Sequence, residues 1–523
     1  MTSSEQPAPE RPSRYGGWQQ EKVAFIFGLS ARRAAILAAA MLAVIMPLAM
    51  ARMSAAVTLW PVAAVLAASA MIRVQSRTGD EWVASALSWA LIAAQHQHLF
   101  DGGPYGAAGA RGVGAAGDDG PLMELPGILA PLRLLSVPAG HGDLAVVHHA
   151  YDRTYTAVAR VRYPGIGLAD SVRRDQRVAG WGALLAGLCA EGSPIIRVQA
   201  LHRLVPESGV ALRAWHERHL VPGVPGLARQ VAEELLASSR LSTARREAYL
   251  SVTIDARRAG GAIRAAGGGD AGAAAVLIRQ LRALPQALSS AELEVEEWLG
   301  ARDLAEVIRT AYDPSSQIPL AARRALAATA AMAGTPGATA EPGAALTQSG
   351  PVHAQAHPGR YVHDGAVSVS YWVEAWPQSG AYCTSLAPLL ADATSRRSVA
   401  MVFEPLAPRA AERAVMHERT ARHVAVRMRQ RTGQIVPEHE RTAMERAAGQ
   451  DAERAAGHGL VRFTGYATVT VTDPGDLEDA CAALEADAAA ARIELRRLWF
   501  SQDTGFALGA LPLGLGLPRR RGW

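Results

Sequence analysis

Two uncharged apolar runs dominate the hydrophobic pattern of this chain. Ala34 to Ala51 (AAILAAAMLAVIMPLAMA) and Met53 to Ile72 (MSAAVTLWPVAAVLAASAMI) are parted only by Arg52. Each is about as long as a helix must be to cross the roughly 30 Å apolar core of a bilayer at about 1.5 Å per residue. The pair therefore predicts a transmembrane helical hairpin over residues 31–75, with Ala34, Leu42, Pro47, Leu59, Pro61 and Ile72 in the anchor. Prolines are tolerated in such helices, and alanine-rich faces let two of them pack closely. Cations flank the pair: Arg11, Arg14, Lys22, Arg32 and Arg33 before it, Arg73 and Arg77 after it. The positive-inside rule then places both termini in the cytoplasm, on a multi-pass protein of the inner (cytoplasmic) membrane. Residues 1–30 become an N-terminal cytoplasmic tail. Its aromatic stretch Tyr15–Ser30 (YGGWQQEKVAFIFGLS) suits either a membrane interface or a plain connection.

After the hairpin the period of the pattern changes. Glu81–Leu99 reads as a helix with Trp82 and Trp89 on one face, and residues 101–120 as a Gly-rich linker, so 76–120 is a helix-and-linker unit. A first α+β domain follows over residues 121–330. Leu144–Tyr151, Thr154–Tyr163, Pro194–Val205 and Arg245–Ile254 read as strands. Arg174–Ala190, Gly226–Ser239, Ala273–Leu284 (stopped by Pro285) and Glu292–Tyr312 read as helices. A flexible linker over 331–360 leads to a second α+β domain, 361–523. Its expected strands are Ala366–Glu374, Ser398–Glu404 and Val461–Thr472; its expected helices are Leu386–Ala391, Pro408–Arg431, Pro437–Ala456 and Leu477–Ala490, with Ile493–Trp499 a closing strand or helix. The expected fold class is thus a membrane-anchored α+β protein: a two-helix transmembrane hairpin, then two cytoplasmic halves of antiparallel sheet plus helices. The second half repeats the rhythm of the first, as diverged copies of one module would.

Composition narrows the chemistry. At 523 residues with 49% apolar side chains, the chain can build real cores. Its net charge of +5 is modest, and Lys22 is the single lysine. A Walker-type P-loop needs a lysine directly before Ser or Thr; Lys22 precedes Val23, so no such nucleotide site exists. Cys189, Cys383 and Cys481 lie too far apart for a metal spacing or a disulfide framework. His216-Glu217-Arg218-His219 lacks the H-E-x-x-H spacing, and the pairs His96/His98 and His148/His149 have no third ligand in sequence. Asp503-Thr504-Gly505 stands alone, whereas aspartic-protease chemistry needs two such carboxylates. Over Arg409 to Arg454 the arginines up to Arg431 are interleaved with Glu412 and Glu418, and Glu438, Glu440, Glu445 and Glu453 follow. Such mixed signs mark an ion-paired solvated helix more than a nucleic-acid stripe. The expectation is a non-enzyme with no cofactor and no metal.

Three stretches carry a resemblance. The lead YGGW…FIFGLS before a two-helix hairpin is similar to actinobacterial PrgI-like membrane proteins of conjugation and type IV secretion loci. WPQSGAYCTSLAPLL (Trp376–Leu390), the helices from Arg409 and RFTGYATVTVTDPGDLEDA (Arg462–Ala480) resemble the N-terminal, non-catalytic region of the VirB-type secretion ATPase. SQDTGFALGALPLGLGLP (Ser501–Pro518) looks like that family's junction to its motor domain. No motor motif follows here, so no catalytic residue carries over. The resemblance implies a docking subunit of a type IV secretion or conjugation-like machine, oligomeric within the complex. Its partners would be membrane lipid, other secretion subunits and a separately encoded P-loop ATPase, met through Trp499, Phe500, Phe506 and Leu511. The same apolar residues suit core burial equally. The alternative is a membrane-tethered DNA-binding adaptor for plasmid transfer.

Overall fold

A computed structural model describes residues 31–50, 53–74, 77–103, 123–140, 142–165, 169–206, 216, 219–221, 223–239, 244–332, 342–377, 382–391, 393–431, 445, 448–449 and 459–516. The aromatic lead Tyr15–Ser30, most of the Gly-rich linker, most of the expected helix Pro437–Ala456 and the last residues fall outside these. The two apolar runs form helices α1 (Ala31–Ala49) and α2 (Met53–Met71), which pack against each other. A short ribbon, β1 (Arg73–Val74) with β2 (Arg77–Thr78), then leads to α3 (Gly79–Ala94). Gly79 allows α3 to abut α2, because a Cβ there would stand 3.0 Å from the Ser69 backbone.

The body is one sheet. Strand β3 (Leu99–Asp101) is followed by β4 (Leu132–Ala139), β5 (Gly142–His149), β6 (Thr154–Arg162), helix α4 (Ser171–Leu188), β7 (Ile195–Pro206), α5 (Gly226–Ser239) and β8 (Ala244–Asp255). Then come α6 (Gly260–Ala265), α7 (Gly269–Ser289), β9 (Glu294–Trp298), α8 (Ala301–Tyr312) and α9 (Gln317–Met332). The second half adds β10 (His353–Ala356), β11 (Tyr361–His363), β12 (Ala366–Ala375), β13 (Arg396–Leu406), α10 (Pro408–Arg431), β14 (Leu460–Val471), α11 (Leu477–Ala490), β15 (Glu494–Arg497) and α12 (Gln502–Gly509). Thirteen strands join in the order β3-β10-β11-β12-β14-β13-β7-β8-β6-β5-β4, with β15 on β12 and β9 on β6.

That order contains the same motif twice. In the first half β4, β5, β6, β8 and β7 neighbour one another in turn, and β9 extends along β6. In the second half β10, β11, β12, β14 and β13 do the same, and β15 extends along β12. Each extension is followed by a short helix, α8 or α12. The halves meet where β7 pairs antiparallel with β13, from Leu204 opposite Arg397 to Val198 opposite Phe403.

Alternation along the strands buries both faces of the sheet. Ala145 and Val147 face a core shared with Leu304, Val307 and Ile308 of α8 and Phe506 of α12. Leu144 and Val146 face α7, through Ala273, Leu277, Leu281 and Leu284. In the second half Val369, Tyr371 and Val469 meet Leu477, Cys481 and Leu484 of α11.

Several expectations are corrected. Among the described residues no helix is long and apolar enough to cross a membrane. The helices α1 and α2 each span 19 residues, are rich in alanine and contain a proline, and α1 takes Arg32 and Arg33 into its first turn. The membrane-anchored fold class, the inner-membrane multi-pass localisation and lipid as a partner therefore lose their support. The expected topology with both termini in the cytoplasm falls with them, and Arg77, expected as a flanking charge, is buried inside the fold. The body is a single open α+β sheet and not two sheets in separate halves. Locally, Glu294–Trp298 is a strand where a helix was expected, because β6 offers it an edge, and α7 runs on through Pro285.

Candidate interaction surface

Spacing along α1 and α2 determines what they bury and what they show. Ala40 of α1 and Ala56, Ala63 and Ala70 of α2 are buried, and Pro47 joins them. Seven-residue intervals keep these small side chains on one seam, which lets the helices approach closely. Trp60 adds a tie across the seam, its Nε1–H donating to the Val44 carbonyl at 3.4 Å. The larger side chains point away. Met41, Leu42, Val44, Ile45, Met46 and Leu48 of α1 are exposed, as are Val57, Val62 and Val65 of α2, and Leu42 keeps 65% of its surface. On α3, Val83, Leu87 and Leu91 recur at four-residue spacing and are exposed too. The four-residue period of that stripe is visible in the sequence, on the same helix as Trp82 and Trp89. Of the other expected anchor residues, Leu59 is half-buried, Pro61 and Ile72 are exposed, and the Ala34 side chain lies outside the described set. The side chains of Arg32, Arg33 and Arg73 are likewise outside it.

An aromatic seat fixes this layer to the body. Trp82 lies 5.8 Å from Trp499 and 5.9 Å from Phe500, and Trp89 lies 6.1 Å from Phe500. Arg77 stacks over Trp82 at 5.8 Å and donates from Nη1 to the Trp499 carbonyl at 3.2 Å. Burial, with Arg496 nearby, lowers the Arg77 pKa below its ordinary value. Arg497 covers the other ring, 4.9 Å from Trp499. Thus Trp499 and Phe500 meet α3 of their own chain.

The residues that follow are built into the core. Phe506 and Leu511 have no exposed surface. Phe506 touches the rings of Tyr312, Tyr361 and His363. Buried Gln199 of β7 holds the ensuing backbone: its Nε2 donates to the carbonyls of Leu508 (3.2 Å) and Leu511 (2.9 Å), and its Oε1 accepts from the Gly514 N–H (2.8 Å). Ser251 Oγ donates to the Pro512 carbonyl at 2.6 Å, and Arg197 to Gly514 O at 2.9 Å. Gln502 completes the attachment in the second half, accepting from the Ser370 N–H at 2.7 Å. The C-terminal segment is a strap across both halves of the sheet.

Several of the titratable groups described have structural roles or are buried. Buried His363 donates from Nδ1 to the Tyr312 carbonyl and accepts at Nε2 from Ser368 Oγ at 2.8 Å, so its neutral tautomer is defined. Burial pushes its pKa down to about 4. His148 stacks on Tyr155 at 4.4 Å, and the Tyr155 hydroxyl donates to Asp270 at 2.6 Å. Asp503 of the lone Asp-Thr-Gly sits on α12, where burial raises its carboxyl pKa. Cys189 and Cys481 are buried, and burial pushes both thiols up, away from reactive thiolate. No group of three or more potential metal ligands occurs among the described residues.

Compared with known proteins, the chain matches no family model and no curated protein sequence. The resemblance to PrgI-like proteins and to the VirB-type ATPase region is therefore withdrawn, and with it the secretion-machine identity. Recruitment of an ATPase by the C-terminal end falls for a physical reason as well, since Phe506 and Leu511 fill the chain's own core. The DNA adaptor alternative loses its membrane tether.

Proposed function

We propose that this chain is a non-catalytic interaction scaffold whose working surface is the outer face of α1, α2 and α3. One observation carries the reading: more than ten large apolar side chains, Leu42, Ile45, Val65 and Leu87 among them, share this layer and face outward. Folded monomers rarely expose a contiguous apolar patch beyond a few hundred Å2, and larger ones mark sites of association. Residues at three- and four-residue spacing form the ridges that pack into the grooves of another protein's helices, so the partner surface is apolar and helical. The aromatic seat supports the same reading, because it holds α3 rigidly against the body and so pre-orders the face for binding.

The test is association of the purified chain in detergent-free buffer. The wild type is expected to form polydisperse assemblies in sedimentation velocity. The variant Leu42→Gln/Ile45→Gln/Val65→Gln, altered only at exposed positions, is expected to sediment as small defined species. A wild type as monodisperse as the variant would overturn the proposal.

A further inference from the structure

Helices α5 and α10 occupy the same place in the two halves, since each connects a central strand to its outer neighbour, β7 to β8 and β13 to β14. Their exposed faces are unlike in charge and alike in shape. On α10, Ala411 and Val415 are buried. The opposite face presents Met416, Thr420 and Val424 at four-residue spacing, with Arg409, Arg413, Arg427 and Arg431 beyond the two ends of that row. The helix carries seven arginines against two glutamates, Glu412 and Glu418. On α5, Leu227 is 76% exposed and Val231 48%, one turn apart, and Leu235 continues their line. The exposed acid Glu234 lies beside that row, and the helix as a whole carries two acids, Glu233 and Glu234, against a single arginine, Arg229.

We infer that α10 binds α5 of a second copy of this chain. Each stripe repeats at i, i+4 and i+8, the spacing at which two helices interdigitate, with apolar residues at all three places on α5 and at the outer two on α10, and the net charges are opposite. Because both helices belong to one chain, a single two-fold axis forms the contact twice, α5 on the partner's α10 and α10 on the partner's α5. Apolar Met416 and Val424 within the basic stripe favour a helix as occupant over a phosphate backbone, which would need the arginines alone. The inference does not depend on the apolar face of α1–α3.

To keep that face silent, the experiment uses the full chain carrying Leu42→Gln/Ile45→Gln/Val65→Gln, in sedimentation equilibrium at low salt. The expected mass is about twice the 55.1 kDa of one chain. Arg413→Glu/Arg427→Glu, or Glu234→Arg, should weaken the dimer at least about tenfold, and the combination of both sides should recover it. Unchanged mass in the single-side variants, or no recovery in the combination, overturns the inference. So does loss of a labelled duplex DNA from the Arg413→Glu/Arg427→Glu chain with no change in mass, which would assign the stripe to phosphates.

Discussion

At Gly514 the backbone has φ +63°, and a Cβ would stand 2.3 Å from Thr253 Oγ1. Both facts demand glycine there, because side chains rarely adopt that conformation and the neighbour belongs to a central strand. Gly514→Ala should destabilise the fold by about 2–4 kcal/mol, measured by urea unfolding. Gln199→Leu should cost a similar amount, since it orphans two carbonyls and one N–H that the buried amide now satisfies. His363 sets a pH dependence. Its pKa is held at about 4 in the fold against about 6.5 when unfolded, so the unfolded chain binds the extra proton between these values. The stability it contributes is whole above about pH 6.5 and is lost as pH falls towards 4, on the order of 3 kcal/mol in all. His202, also held at about 4 by burial, acts in the same window. Unfolding free energy should fall from pH 6.5 to 4.5, and His363→Asn should remove about one proton from the slope. None of these residue roles was readable in sequence. They arise from contacts between positions far apart, such as Gln199 with Leu511.

Among the elements, helices with a complete local pattern were legible: Gly226–Ser239, Pro408–Arg431 and Leu477–Ala490 form where their periodicity and ends place them. The long strands β7, β8 and β14 were also readable from alternation, to within a residue or so. The short strands β10 and β11 were not, and their residues fell partly in the expected linker. A strand of three or four residues takes its conformation from the edge it joins, which sequence does not display. The tie between β7, β8 and α8 is equally non-local. Fully buried Arg203 donates to Glu247 at 2.7 and 3.1 Å and to the Val307 carbonyl at 3.0 Å, and lies 5.4 Å from the Tyr249 ring. Despite its burial, the Glu247 carboxyl is pulled down to about 2 by Arg203. Arg203→Met should destabilise by about 3–5 kcal/mol by stranding that carboxylate, and adding Glu247→Leu should restore most of the loss. Equal stability of the single and double variants would contradict the pairing.

For the whole molecule, two copies of one strand order become one body because β7 pairs with β13 and the C-terminal strap crosses the seam. The halves should therefore unfold together: hydrogen exchange of β5–β6 and of β12–β14 should collapse at the same denaturant concentration. Two separated transitions would contradict that coupling. Apolar runs over 34–72 were evident in sequence, and their helices formed; what sequence could not show was how α3, Trp499 and Phe500 would seat them on the body. The scaffold reading is tested most directly by a photo-crosslinking amino acid placed at Leu42, Val65 or Leu87, with Val172 and Leu326, exposed apolar positions on other helices, as controls. The three positions on α1–α3 should give adducts with the same partner protein and the controls none. Equal yields at the controls, or no adduct at any of the three, would contradict an interaction surface on this layer.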